Sequence, residues 1–273
     1  MTDKILLAVM GNPVAHSRSP EIHEMFAEQF GDQVVYKKIE APLGEFDSAL
    51  DDVIEEGYLG VNVTIPFKVD AFRSATKCTS RARQARAANT VKFEGNKILV
   101  DNTDGAGFVE DIEKRLGFDF AGKSVLILGA GGSVRGILPS LLEKQPKKVA
   151  VANRSLTRAQ ELQEEFGIQC ILYDETGADQ YDIIVNATPT SLHNKAPLIE
   201  PSAFANCEVA YDLVYASEPT PFMQMAKENG CKKVSDGLGM LVEQAAFSYE
   251  FWLGKHPETA EVYKALRKLI DNA

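Results

Sequence analysis

Apolar positions along this chain come in short runs separated by stretches of helix-like periodicity. Residues 5–10 form a continuous apolar run stopped by Gly11 and Pro13, the pattern of a buried strand. Ser19-Pro20 predicts a helix start. Ser19 caps, Pro20 takes the first helical position, and Glu21 and Glu24 suit the positive end of the helix dipole. Residues 34–39 and 59–63 predict the next strands, with a helix over about 44–56 between them. Residues 90–93 and 98–100 flank Glu94-Gly95-Asn96, a turn signal that predicts a hairpin.

The middle of the chain is more regular. Residues 124–128, 149–152, 169–173, 183–185 and 209–214 are short β-rich runs, and helical patterns such as 156–166 fill most of the intervals. Alternation of this kind implies parallel strands covered on both faces by crossover helices. Residues 104–236 therefore predict a doubly wound α/β domain. Past Gly239, helical stretches over 240–252 and 258–271 are broken at Gly254 and Pro257. No Pro/Ser-rich linker and no internal repeat marks a boundary, so short helices or turns are expected to join the domains.

Length supports the division, since 273 residues is nearly twice the roughly 150 residues of a typical domain. A net charge of −10 disfavours sequence-independent nucleic-acid binding and repels an anionic membrane surface. No apolar run approaches the ~18 residues of a membrane-spanning helix, and residues 5–10 are short for a signal-peptide core. Cys78, Cys170, Cys207 and Cys231 are scattered without a Cys-x-x-Cys pair, which disfavours a disulfide scaffold or a structural zinc site. The expectation is a soluble cytoplasmic protein with reduced thiols. Monomer and homodimer both stay open.

Candidate chemistry begins at residues 125–136. There an apolar strand ends in Gly129-Ala130-Gly131-Gly132-Ser133 and opens a helix. Glycines permit the tight turn and let backbone N–H groups approach a pyrophosphate at the helix N-terminus. The strict G-x-G-x-x-G spacing is not met, because Val134 stands in the last position. An ordinary βα turn would look similar, but the strand before and the strand–helix–strand unit after favour a dinucleotide. The next strand ends in Asn153-Arg154-Ser155, with Arg158 just beyond. Where NAD enzymes carry a carboxylate for the ribose hydroxyls, a guanidinium stands here, shaped to hold a phosphate. That points to NADP; surface arginines at a helix start are the alternative.

In the first hundred residues, Ser17 and Ser19 bring two hydroxyls to a helix start, where a carboxylate could bind, although Ser19 could simply cap. Lys68 follows a buried strand, though a lone lysine is most often a solvated surface group. Between Lys68 and Lys92 lie seven basic residues against one acid, Asp70. Such a stretch either steers an anionic substrate or is a solvated helix face. His16, His23, His193 and His256 lack metal-ligand spacing, so no metal is implied, and His16 and His23 read as structural hydrogen-bonders. Trp252 reads as a packing residue of the C-terminal helices.

Taken together, Asn-Pro-x-x-His-Ser-x-Ser-Pro at 12–20, Asn-Val-Thr-Ile-Pro-Phe-Lys at 62–68, Ala-Asn-Thr at 88–90 and Asn-Thr-Asp-Gly at 102–105 resemble the shikimate/quinate dehydrogenase family. The likeness continues through Gly-Ala-Gly-Gly at 129–132, Asn-Arg-Ser at 153–155, Asn-Ala-Thr-Pro at 186–189, Asp-Leu-Val-Tyr at 212–215 and Gly-Leu-Gly-Met-Leu-Val-Glu-Gln at 237–244. It implies reversible NADP-dependent reduction of 3-dehydroshikimate to shikimate, on the route to chorismate and the aromatic amino acids. The resemblance assigns the substrate carboxylate to Ser17 and Ser19, with Tyr215 nearby, and the ring hydroxyls to Thr64, Asn89 and Gln244. Lys68 and Asp104 would be the catalytic pair. To the cofactor it gives Gly129, Ala130, Gly131, Gly132 and Ser133, then Asn153, Arg154, Ser155 and Arg158, joined by Thr188, Leu213 and Gly237. It also implies a Rossmann-type NADP domain over 104–236, and a smaller α/β substrate domain over 1–103 completed by 237–273.

Several positions depart from the family pattern. Arg86-Ala87-Ala88 stands where Gly-Ala-Val is frequent, Glu24 where Asn is usual, Ser217 where proline is often found, and Ser155 where threonine is common. None removes a proposed catalytic group. A catalytically silent NADP-binding regulator would have no need of Lys68 together with Asp104. A methylene-tetrahydrofolate dehydrogenase-like enzyme shares the alternation but has no use for a carboxylate clamp at Ser17 and Ser19. A quinate/shikimate enzyme of broader range is the nearest alternative.

Overall fold

The computed structural model describes residues 4–272 and holds two six-stranded sheets. One unit runs to Gly107 and takes in Val242–Leu266; the other spans Phe108–Leu241 and resumes at Arg267. The division therefore falls slightly later than the expected 103/104 and 236/237, and the last residues go with the second unit.

The first unit begins with β1 (Ile5–Gly11), α1 (Ser19–Phe30), β2 (Val34–Glu40), α2 (Phe46–Glu55) and β3 (Gly60–Val63). It continues with α3 (Lys68–Arg73), β4 (Lys77–Cys78), α4 (Ser80–Ala85), β5 (Thr90–Glu94), β6 (Lys97–Asp101) and the start of α5 (Asp104–Glu110). Strand order is β2-β1-β3-β5-β6-β4. β1 is parallel to β2 and β3, while β5 is antiparallel to both β3 and β6. Strand side chains alternate between faces, and in β1 both faces are covered. Ala8 and Met10 pack with Phe46, Leu50 and Val53 of α2, whereas Leu7 and Val9 pack with Tyr36 and Trp252. That is why residues 5–10 read as an unbroken apolar run.

Two details differ from the sequence expectation. Ser19 is the first residue of α1 rather than its cap; Arg18 holds the cap position and pairs with Glu21 at 2.9 Å. Proline then sits at the second helical position, which still requires no N–H inside the helix. Lys68 opens α3, a six-residue helix that the sequence pattern does not predict.

His23 lies fully buried on α1, stacked on Tyr36 with ring centroids 4.6 Å apart. Burial pushes its pKa down to about 3, against the opposing hydrogen bond to Asn62. The unfolded chain takes up this proton below about pH 6.5, whereas the folded chain does not until near pH 3. Its contribution to stability is intact above pH 6.5 and is lost as the pH falls, by up to ~1.4 kcal/mol per unit. Urea unfolding between pH 7 and about 5.5 is expected to show a shallower pH slope in His23→Gln than in the parent. Equal slopes would contradict this.

The second unit holds β7 (Ser124–Leu128), α6 (Gly132–Glu143), β8 (Lys148–Ala152), α7 (Leu156–Phe166), β9 (Gln169–Ile171) and β10 (Ile183–Asn186). β11 (Val209–Asp212), α8 (Pro221–Glu228) and β12 (Lys233–Ser235) complete its sheet. α9 (Leu238–Leu253) and α10 (Ala260–Asp271) follow. Every strand pair is parallel, in the order β12-β11-β10-β7-β8-β9. This is the doubly wound Rossmann arrangement, whose order reverses between β7 and β10 and whose ligand crevice lies at the strands' carboxyl ends there. Val125 and Ile127 enter one apolar cluster and Leu126 and Leu128 the other, as helices on both faces require.

Candidate active site

In the first unit, Lys68 Nζ lies 2.5 Å from Asp104 Oδ2. Lys68 opens α3 and Asp104 opens α5, so both side chains leave helix starts rather than mobile loops. Asn89, one residue before β5, shares its amide N–H groups among Asp104 Oδ1 at 2.9 Å, Thr103 Oγ1 at 2.9 Å and Gln244 Oε1 at 3.0 Å. Its own carbonyl oxygen accepts the Thr103 N–H at 2.8 Å. Asp104 thus has one oxygen on an ammonium and the other on an amide, and its side chain is only 8 % exposed. That fixes the lysine's direction and keeps a charged donor at the edge of a buried polar patch.

The polar patch runs on to the serines. The Ser17 hydroxyl donates to Ser19 Oγ at 3.1 Å and accepts the Ser19 N–H at 3.3 Å. Ser19 hydrogen-bonds to Tyr36, whose hydroxyl donates to Asn62 Oδ1 at 2.6 Å. Asn62 Nδ2 reaches Ser248 Oγ at 3.0 Å, and Ser248 lies 2.7 Å from Thr90 Oγ1 and 3.2 Å from Thr103 Oγ1. One hydrogen-bonded chain therefore joins Ser17 and Ser19 to Asn89, Asp104 and Lys68. Sequence reasoning did not single out Tyr36, Asn62 and Ser248 as functional, although Asn62 opens the 62–68 motif. Thr64 is half-buried one residue past β3, with its N–H on Met10 O at 2.9 Å.

Gln244 owes its place to a close approach. A Cβ on Gly107 would lie 2.4 Å from Gln244 N and 2.7 Å from its Cα, so α5 meets this backbone only through a glycine. Gly107→Ala is expected to cost about 1–3 kcal/mol of stability and to raise KM for substrate by displacing Gln244 from Asn89. Urea unfolding together with substrate titration checks it, and a variant unchanged in both would contradict the packing.

Arg81 corrects the reading of the basic stretch. Its guanidinium holds Asp101 with Nη2 at 2.5 Å and Nε at 3.2 Å, and stacks over Phe247 at 5.5 Å. Asp101 is fully buried, so Arg81 neutralises an interior carboxylate and is not a freely steering charge. Lys68 and Lys92 are likewise paired, with Asp104 and Glu94.

In the second unit, the candidate cofactor residues gather along the carboxyl edge of the parallel sheet. Gly129 follows β7 at φ +103°, with the Ala187 carbonyl 3.2 Å from where a Cβ would stand. Ala130 and Gly131 lead to α6, where Gly131 is the cap residue and Gly132 and Ser133 form the first turn. The free N–H groups of that turn face out of the helix end and suit an anion. Asn153, Arg154 and Ser155 follow β8; Asn153 Nδ2 donates to Ser155 O at 2.8 Å, and Arg154 is exposed. Arg158 lies on α7, but its side chain falls outside the described residues. Thr188, Leu213 and Gly237 follow β10, β11 and β12. Leu213 N donates to Asn186 O at 2.9 Å and Gly237 N to Val214 O at 3.2 Å. Tyr215, two residues past Leu213, belongs to this unit rather than to that of Lys68.

Asp212, which opens the 212–215 motif but received no role from the sequence, ties that edge together. Fully buried, it accepts from Ser191 Oγ at 2.6 Å, Thr220 Oγ1 at 2.7 Å, Val214 N at 3.1 Å and Asn186 Nδ2 at 3.2 Å. Burial raises its pKa against those four donors. Its visible signal is a carboxylate ending an otherwise apolar strand.

Comparison with known proteins places three family models on the chain. They are the shikimate dehydrogenase substrate binding domain over residues 9–91, shikimate / quinate 5-dehydrogenase over 110–211, and the shikimate 5'-dehydrogenase C-terminal domain over 237–267. A shikimate dehydrogenase (NADP(+)) of Janthinobacterium sp. (strain Marseille) is 48% identical over 263 residues, 95% of this chain and 96% of that protein. The Ael1 enzyme from Pseudomonas putida aligns with a TM-score of 0.92 at 39% identity, covering 96% of this chain and 98% of that one. Shikimate 5-dehydrogenase from Thermus thermophilus, solved in complex with NADP(H) and shikimate, aligns with a TM-score of 0.88 at 34% identity, covering 97% and 99%.

Proposed function

The chain belongs to the shikimate/quinate dehydrogenase family, and from that premise we propose that it interconverts 3-dehydroshikimate and shikimate with NADP(H), a step of aromatic amino acid biosynthesis. The observation that carries this reading is the Lys68–Asp104 pair, held by Asn89 at the end of a hydrogen-bonded chain that begins at Ser17 and Ser19. A ring bearing a carboxylate, several hydroxyls and one oxidisable carbon matches those groups in kind. Ser17 and Ser19 bind the carboxylate, and Thr64, Asn89 and Gln244 the hydroxyls.

The turn at Gly129 to Ser133 and the guanidinium after β8 fit a 2′-phosphorylated dinucleotide, which supplies the hydride when bound. In the reducing direction the substrate carbonyl oxygen gains negative charge as its carbon takes up hydride. Lys68 Nζ stabilises that oxygen and gives it a proton, leaving a hydroxyl on the ring and a neutral amine on the enzyme. In the oxidising direction the neutral amine takes the hydroxyl proton. Asp104 keeps Nζ aimed.

The test is NADP reduction with shikimate and with quinate, repeated with NAD. Turnover is expected to be fastest with shikimate and NADP; absence of turnover with shikimate would overturn the reading. For the cofactor, Arg154→Ala is expected to raise KM for NADP about 10- to 100-fold, the loss of a charge-assisted contact worth ~1.5–3 kcal/mol. Its KM for NAD should stay near that of the parent. An unchanged KM for NADP would remove Arg154 from the phosphate site.

A further inference from the structure

Cys207 and Cys231 stand just before β11 and β12. The parallel register pairs Val209 with Lys233, and the ladder extends backward through the Lys232 N–H, which donates to Cys207 O at 3.2 Å. Two residues before each member of that pair, the same register sets the two cysteines side by side. Their sulfurs lie 2.7 Å apart, and both thiols are free. A bonded pair requires about 2.05 Å, so less than an ångström of closure separates thiols from disulfide. Both side chains are buried, at 2 % and 7 % exposure, but Asn229, Gly230, Lys232 and Lys233 around Cys231 are exposed. A small oxidant therefore has little protein to cross.

We infer that Cys207 and Cys231 form a redox-active dithiol that a hydroperoxide converts to a disulfide, joining the edge strand β12 to β11. The two sulfurs are not equivalent. The contact between the two thiols lowers the pKa of Cys231 and raises that of Cys207, and Cys231 is also the less buried of the two, beside the exposed Lys232. Cys231 is thus the nucleophile and Cys207 the resolving thiol. The Cys231 thiolate attacks one peroxide oxygen; the O–O bond breaks, giving a sulfenic acid and hydroxide. Cys207 sulfur then attacks the sulfenic sulfur, and the S–O bond breaks as the disulfide forms. The Cys207 proton leaves with that oxygen as water, and the hydroxide takes up the proton that Cys231 gave up, so two thiols and one hydrogen peroxide give one disulfide and two waters. Two electrons pass from sulfur to oxygen.

The closed loop contains α8 and links β12, a three-residue edge strand, to its neighbour β11. Leu213 and Gly237 lie at the opposite, carboxyl ends of the same strands, so the bond stabilises the unit without altering the proposed cofactor residues.

The experiment treats the folded, reduced protein with hydrogen peroxide, followed by non-reducing peptide mapping, thermal unfolding and steady-state kinetics. Expected are a peptide linking Cys207 to Cys231, a mass lower by two hydrogens, and a melting temperature raised by about 5 °C or more. Dithiothreitol should reverse all three, with kcat and KM unchanged. Cys170→Ser should keep the cross-link, and Cys207→Ser or Cys231→Ser should lose it. Should those last variants not fold, the parent's peptide map decides alone. Oxygen added to either cysteine without a link, a link through Cys78 or Cys170, or no reaction at all would overturn the inference.

Discussion

Lys68→Ala is expected to lower kcat by about 10²- to 10⁴-fold, the range assigned to a positioned acid–base group. Nζ is the ammonium that Asp104 and Asn89 together aim, and alanine removes both the proton and the charge that answers the developing alkoxide. Binding should change far less, because Ser17, Ser19, Thr64 and Gln244 are untouched. The fold should also hold, since alanine is a good helix former at the start of α3 and Asp104 keeps its amide partner. Steady-state kinetics with shikimate and NADP checks the pattern of depressed kcat and near-parental KM. Parental turnover would remove Lys68 from the mechanism.

Asp104→Asn is expected to cost about 10²- to 10³-fold in kcat by a different route. The carboxylate accepts on both oxygens, from Lys68 Nζ at 2.5 Å and Asn89 Nδ2 at 2.9 Å. An amide of the same shape must turn its NH₂ toward one of those donors, so one of the two contacts becomes donor against donor. If the NH₂ faces Lys68, the ammonium loses its aim; if it faces Asn89, the amide shared with Thr103 and Gln244 is displaced. Because the side chain is isosteric, a melting temperature close to that of the parent is expected with the loss of rate. A variant of normal kcat would show that the lysine needs no carboxylate to direct it.

The second unit's fold is legible in the sequence for a physical reason. Strands buried on both faces are almost wholly apolar, so residues 124–128 and 183–185 stand out, and the crossover helices leave a regular spacing between them. Short elements leave no such mark. β4 has two residues and α3 and α4 have six each, too few for a period of 2 or 3.6 to show. Those unmarked helices are the ones that place Lys68 and Arg81. The division between units is legible only approximately, because it falls inside α5 and α9, where helical periodicity runs on and composition does not change.

The candidate site is legible as residues but not as a network. Local motifs name Ser17, Ser19, Asn89, Asp104 and Gln244. Their connection through Tyr36, Asn62 and Ser248 depends on contacts across 26 and 186 positions, which no local pattern carries. A serine before a proline satisfies the rule for a helix cap, yet the Ser19 hydroxyl is engaged with Ser17 and Tyr36 instead. Arg81 reads as a surface charge because its partner, Asp101, is 20 positions away.

The claim on which the mechanism depends is that Lys68 and Asp104 work as one device, and a double-mutant cycle on kcat/KM for shikimate tests it most directly. If they do, Lys68→Ala combined with Asp104→Asn is no slower than Lys68→Ala alone, within about threefold, since a carboxylate with no ammonium to direct has nothing left to lose. If the two losses multiply, the pair acts independently and the account is wrong.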